Sequence, residues 1–173
     1  MMNNKKIKMV ILGAILLLAV FLIKMEFRIE PKKYVYEQQG ELSIAANGLI
    51  EKLEKKIDIY RTKSECPNIK NKDKIYDLSV EQIAVEKYKE YMDVEYEDRV
   101  IIFLKNRPED EGYLNCGIYY SPNNCTIDYY GHAVEEDENG IFVYDGEPKG
   151  MRIKYKSERI CDNWFYFQES VWN

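Results

Sequence analysis

The residue types that could do chemistry are few, and their spacing excludes most of what they could do. His132 is the only histidine in the 173 residues. None of the six serines stands in the G-x-S-x-G pattern of a nucleophile elbow. No phosphate-cradling glycine loop and no H-E-x-x-H zinc motif occurs. His132 follows Tyr-Tyr-Gly and reads as a strand-edge or turn residue, not as a general base. The acidic run Glu135 to Gly140 places Glu135, Asp137 and Asn139 at alternate positions, as a calcium loop does. Its twelfth position is Gly146 where a bidentate Glu is needed, and no helical pattern follows. Asn139-Gly140 ahead of Ile-Phe-Val-Tyr is instead the signal of a hairpin turn. No metal site and no cofactor is expected.

The remaining polar chemistry is carboxylate chemistry. The first 33 residues hold seven Lys/Arg and two Asp/Glu, which leaves 18 basic and 28 acidic residues, a net of −10, in residues 34–173. A surface of that sign repels nucleic acid and suits a cationic protein partner. Two carboxylates could perform glycoside hydrolysis, but abundance alone selects no pair.

Tyrosine is the strongest compositional signal, with fifteen residues and the pairs Tyr119-Tyr120 and Tyr129-Tyr130. In a strand, neighbours face opposite sides, so each pair puts one ring on each face. Exposed Tyr and Trp offer large contact area at low entropy cost. Tyr119, Tyr120, Tyr129, Tyr130 and Trp172 are therefore the candidate binding residues.

Cys66, Cys116, Cys125 and Cys161 are an even set without C-x-x-C spacing. That reads as two disulfides in an oxidising compartment. If Pro122-Asn123 is a tight hairpin turn, Cys116 and Cys125 share a face but sit four residues out of register, too far to bond. All three pairings of the four cysteines stay open.

These groups need elements to position them. Met9 to Ile23 is uncharged and apolar, between Lys5, Lys6 and Lys8 on one side and Lys24 on the other. Counted from residue 7 to residue 27 it is long enough to span a bilayer, and no small-residue cleavage site follows. Residues 1–33 are expected to be a membrane anchor and neck, with Pro31 ending the anchor helix. Residues 34–173 are expected to form one extracytoplasmic domain, with the N-terminus cytoplasmic if the cysteines are oxidised. The Lys-, Asn- and Ile-rich composition has a bacterial character.

Within the domain, Leu42, Ala45, Ala46, Leu49, Leu53, Ile57 and Tyr60 recur at helical spacing. Thr62 to Asp77 reads as a polar loop tied down at Cys66. Ser79-Val-Glu-Gln82 resembles a capping box before Ile83, Ala84, Tyr88, Tyr91 and Met92, which predicts a second helix over 80–92. The period then changes to β. Strands are expected over 100–104, 112–121, 126–134, 141–144, 151–156 and 164–169, separated by Gly-, Pro- and Asn-rich turns. The expected fold is α+β: a transmembrane helix, then two amphipathic helices on one side of a small antiparallel meander. The expected function is that of a membrane-anchored extracytoplasmic binding protein, an envelope-complex subunit or an inhibitor of immunity type. The alternative is a glycan-active enzyme using paired carboxylates.

Overall fold

The computed structural model describes residues 29–87, 96–105 and 112–172. One long helix, α1 (Pro31–Lys52), crosses a seven-stranded antiparallel sheet. The strands are β1 (Ile57–Tyr60), β2 (Val80–Glu86), β3 (Arg99–Leu104), β4 (Asn115–Tyr120), β7 (Ile141–Gly146), β8 (Arg152–Cys161) and β9 (Trp164–Trp172). Their order is β1-β2-β3-β4-β9-β8-β7, two meanders joined where β4 pairs with β9. Between β4 and β7 the chain makes an excursion containing the two-stranded ladder β5 (Thr126–Ile127) and β6 (Ala133–Val134). A short helix, α2 (Lys72–Tyr76), lies in the β1–β2 connection.

The expected architecture needs correction. Among the described residues there is one helix longer than a turn or two, not a pair, and none is long and apolar enough to cross a membrane. The apolar run Met9–Ile23 lies outside the described residues. Pro31 begins α1, which suits the first helical position, where its missing N–H costs nothing. The stretch 32–40 is thus the first half of α1, and Val35 is fully buried within it.

The predicted helix over 80–92 is strand β2 as far as Glu86, and Tyr88, Tyr91 and Met92 lie outside the described residues. Ile83 and Ala84, which the helical reading put on one face, are strand neighbours on opposite faces, and β2 also carries a bulge. Val80 stands opposite Leu104 and Gln82 opposite Phe103, so one extra residue is accommodated between them. Val80 and Ile83 consequently face the same side, three positions apart, which imitates helical spacing. Ile57 and Tyr60 likewise belong to an edge strand, not to the end of α1. Residues 126–134 are not one strand beside β4 but the two arms of the small ladder.

Each face of the sheet has its own core. On the helix side, Leu42, Leu49, Ile83, Ile102, Ile118 and Trp164 pack together, and each is worth about 1.5–3 kcal/mol of burial. Ala45 and Ala46 let α1 lie close to the sheet, and the Trp164 indole donates to Ser43 Oγ at 2.9 Å. On the second face, Ile101, Tyr119, Ile127, Tyr155, Phe165 and Phe167 form a separate cluster. Here Gly117 is needed, because a side chain would run into the Ile102 carbonyl and the Phe167 ring.

No disulfide joins the four cysteines. Cys66, Cys116 and Cys161 belong to or pack on the helix-side core, whereas Cys125 packs on the second face. Cys116 pairs with Gln168 and Gln168 with Lys156. Cys161, five residues further along β8, is roughly 15 Å or more from Cys116, beyond the reach of an S–S bond. Every complete two-bridge set must also join Cys125 to a cysteine on the opposite side of the sheet. Burial raises the thiol pKa of Cys66, Cys125 and Cys161, which slows their reaction in the native protein. Alkylation of denatured, unreduced protein should therefore count four thiols, and a count of zero would show that the chain closes its cysteines in some other arrangement.

Candidate functional site

The second face carries the polar groups of interest, and Ile127 sets their position. Its backbone N–H donates to the Tyr119 hydroxyl at 3.0 Å, and its carbonyl accepts from the Tyr155 hydroxyl at 3.1 Å. Tyr119 also shares a 2.7 Å hydrogen bond with Ser157. Burial holds both phenols neutral, Tyr119 pushed up to about 12 and Tyr155 well above its ordinary value. Two core tyrosines thus hold both backbone groups of one residue and fasten the excursion to the sheet.

The next residue starts a tightly bonded turn. Asp128 Oδ1 accepts the N–H groups of Tyr130, Gly131 and His132 at 2.8, 2.8 and 2.9 Å. Its Oδ2 lies 3.2 Å from His132 Nδ1. Gly131 takes φ +102°, a backbone conformation that strains any other residue. The histidine therefore serves the turn, as the sequence indicated, and packs 4.8 Å from Tyr96. The expected turn at Asn139-Gly140 is also present, with Asp137 Oδ1 accepting from Asn139 and Ile141. It leads into β7, yet the strand before it pairs with β5, so it joins two sheets and is not a hairpin of one.

The candidate binding residues separate. Tyr119 and Tyr120 are core residues on opposite faces, Tyr120 packing at 5.1 Å on Trp164. Tyr129 and Tyr130 lie in the turn, not in a strand, with their rings perpendicular at 5.3 Å. Tyr130 is 39% exposed and also meets Tyr144 edge to face at 6.3 Å. Trp172 is exposed at the end of β9, beneath Arg152, on the helix side. The structure brings together Tyr129, Tyr130 and Tyr144, and leaves Trp172 elsewhere.

Behind Tyr129 is a cavity of about 30 Å³. Its aromatic walls are Phe103, Tyr119, Tyr129, Tyr155 and Phe167, with Ile101 among them, and its charged groups are Arg99 and Glu169. Arg99 is 8% exposed; its Nε donates to Glu86 Oε2 at 2.6 Å and its Nη1 to the Asp128 carbonyl at 3.2 Å. Its positive charge is thus matched by Glu86. Glu169 is different: burial pushes its carboxyl above the usual range, and the Asn115 side chain and the more distant Arg99 charge only partly oppose that.

Arg99, Glu86, Glu169, Tyr144 and Tyr155 were not candidates from sequence. A signal was present. Arg99 shares alternation parity with Ile101 and Phe103, and Glu169 with Phe165 and Phe167. A charge in phase with buried residues marks a position worth inspecting. Among the described residues, no group of three or more His, Cys, Asp or Glu could hold a metal ion. No known protein family, curated protein or solved structure matches the chain, so the site has to be interpreted from its own geometry.

Two outcomes follow. Tyr119→Phe leaves the Ile127 N–H and Ser157 without their shared partner, which should cost about 1–3 kcal/mol. Urea denaturation measures the loss, and the Ile127 amide should exchange faster. Unchanged stability and protection would remove Ile127 from its anchoring role. Glu169 titrates with the opposite sign from a paired carboxylate. Because its folded pKa is raised, the folded state binds the proton more tightly, so stability falls as pH rises from the unfolded value near 4.5 through the folded one. Glu169→Gln should raise the melting temperature at neutral pH, with the gain vanishing toward pH 4. A lower melting temperature at neutral pH would mean that the carboxylate is paired after all.

Proposed function

We propose that this chain is a membrane-tethered binding protein whose acidic, tyrosine-rich domain captures a cationic protein partner, as a subunit of an envelope complex or an inhibitor of immunity type would. The observation that carries the reading is the exposed Tyr130, standing with Tyr129 and Tyr144. They lie in a segment, 126–148, that has seven carboxylates and no Lys or Arg. Glu136 is held by Arg159 and Asp145 by Arg152, while Glu135, Glu138 and Glu147 of the same segment are exposed. An aromatic centre with a charged rim is the usual anatomy of a protein interface.

Tethering rests on the apolar run Met9–Ile23 and its flanking lysines. The side of the membrane that the domain faces follows from the thiol count: oxidised cysteines place it outside the cytoplasm, four free thiols within. Glycan hydrolysis has one point of support, the raised carboxyl of Glu169. It needs two carboxylates about 5–10 Å apart around a sugar, and the cavity is lined by one, Glu169.

The test is Tyr130→Ala in the full chain. The melting temperature should stay within a few degrees, since a surface change costs under about 0.5 kcal/mol. Partner capture from solubilised membranes should weaken by about 2 kcal/mol or more. Undiminished capture, or recovery of the protein in the carbonate-washed supernatant, would overturn the corresponding half of the proposal.

A further inference from the structure

On the helix side of the sheet, the first turn of α1 comes down on β8 and β9. There Lys32 bonds the Glu158 carboxylate at 2.8 Å and stands 4.7 Å from the centre of the Tyr166 ring. Toward the start of β8 the same side is exposed at Val143, Arg152 and Trp172. Arg152, Lys154 and Lys156 take alternate positions of β8, facing away from the buried Ile153 and Tyr155. Their side chains therefore leave the sheet roughly 6.7 Å apart. Val143 of β7 lies opposite Lys156, and Trp172 of β9 opposite Arg152.

The sign of this strip is opposite to that of the domain. Residues 145–156 hold four basic residues and two acidic ones, whereas residues 34–173 have a net charge of −10. Two of the cations stand on aromatic rings: Lys154 Nζ is 4.4 Å from the Tyr113 ring centre, and the Arg152 guanidinium is 6.0 Å from that of Trp172. Asp145 pairs with Arg152 at 3.4 Å, but both side chains are exposed and such a pair is weak. Cations on apolar stems beside Trp and Tyr are the side chains that settle at the headgroup level of a bilayer. The rings have an apolar body and a polar edge, and the charges meet lipid phosphates. An acidic protein would satisfy the charges too, and the place of the strip decides between them. It adjoins the first turn of α1, and only the seven residues 24–30 separate Pro31 from the apolar run. Fully extended, they reach about 25 Å.

We propose that the strip formed by Arg152, Lys154, Lys156, Tyr113 and Trp172 docks the domain on an anionic lipid surface, its cations on headgroup phosphates and Trp172 in the interface. The inference rests on the reading of the chain as membrane-tethered. It adds the class of lipid on which the domain rests, and it orients the proposed binding group. Tyr129 and Tyr144 pack on the second face of the sheet, so docking by the helix side turns them and Tyr130 away from the lipid.

The experiment moves the full chain from detergent into vesicles of brominated phosphatidylcholine, with or without brominated phosphatidylglycerol. Bromine quenches tryptophan only at short range. Of the two tryptophans Trp164 is fully buried, so the signal reports Trp172. Quenching with phosphatidylglycerol present should exceed that in phosphatidylcholine alone by about twofold or more, and high salt should remove the difference. Lys154→Glu combined with Lys156→Glu should remove it as well, whereas Tyr130→Ala should leave it in place. Quenching that is absent, or that ignores lipid charge and salt, overturns the docking surface, and the unaltered chain decides this even if the double variant misfolds. A folded double variant that keeps the full difference overturns the assignment to β8. Release of the chain by a carbonate wash sinks the tether alone, because charge-dependent quenching measured before the wash still supports the strip.

Discussion

The second face of the sheet depends on the hydrogen bonds that hold Ile127. A two-residue ladder such as β5–β6 has too few bonds to be stable alone, so it must borrow order from the sheet. It does so through Tyr119 and Tyr155, whose hydroxyls bond the two backbone groups of Ile127 in a region without water. Inside a protein such bonds are electrostatically strong, and leaving one unmade is costly. With Ile127 in place, Asp128 is placed as well, and its carboxylate shapes the turn that carries Tyr129, Tyr130 and His132. The cavity exists because Tyr129 is brought over Phe103 and Phe167 without filling the space between them.

The ion pair of Arg99 and Glu86 belongs to the same construction. Both side chains are largely withdrawn from water, at 9% and 14% exposure, and a buried pair of this kind brings little net stability once desolvation is counted. Its effect is positional. Arg99 reaches from β3 to the Asp128 carbonyl. Removing the Arg99 charge would leave Glu86 largely buried without this partner, which is the costly case. On the far side of the excursion, Arg159 bonds Glu136 and Asn124, so the excursion is held by an arginine at each end.

The fifteen tyrosines serve several ends. Tyr119 and Tyr155 are core residues used for their hydroxyls, and Tyr120 is a core residue used for its ring. Tyr34 bonds the Asp77 carboxylate and helps seat α2 against α1. Among the described residues, the group around Tyr130 faces outward within the acidic segment. Abundance in the sequence therefore overstated the binding surface. The physical reason is that a phenol can be fully buried once its hydroxyl finds a partner, and backbone groups of an irregular excursion supply such partners.

The amino-acid sequence by itself determined the β-rich second half, because its short apolar runs are divided by Gly, Pro and Asn turns whatever surrounds them. It also determined the face of α1, since Leu42, Ala45, Ala46 and Leu49 can share a neighbour only on a helix. The sign of the domain's charge and the turn role of His132 were legible for the same local reasons. Tertiary structure decided the rest. Ile83 and Ala84 look helical in sequence and become a strand because β3 offers a ladder, with a bulge absorbing one extra residue between Val80 and Gln82. The pairing of β4 with β9, and not with the segment that follows it, comes from a return of the chain more than forty residues later. Local spacing carries no information about such a return, so the cavity, whose walls come from β3, β4, β8, β9 and the excursion, could not be seen before the strands were in order.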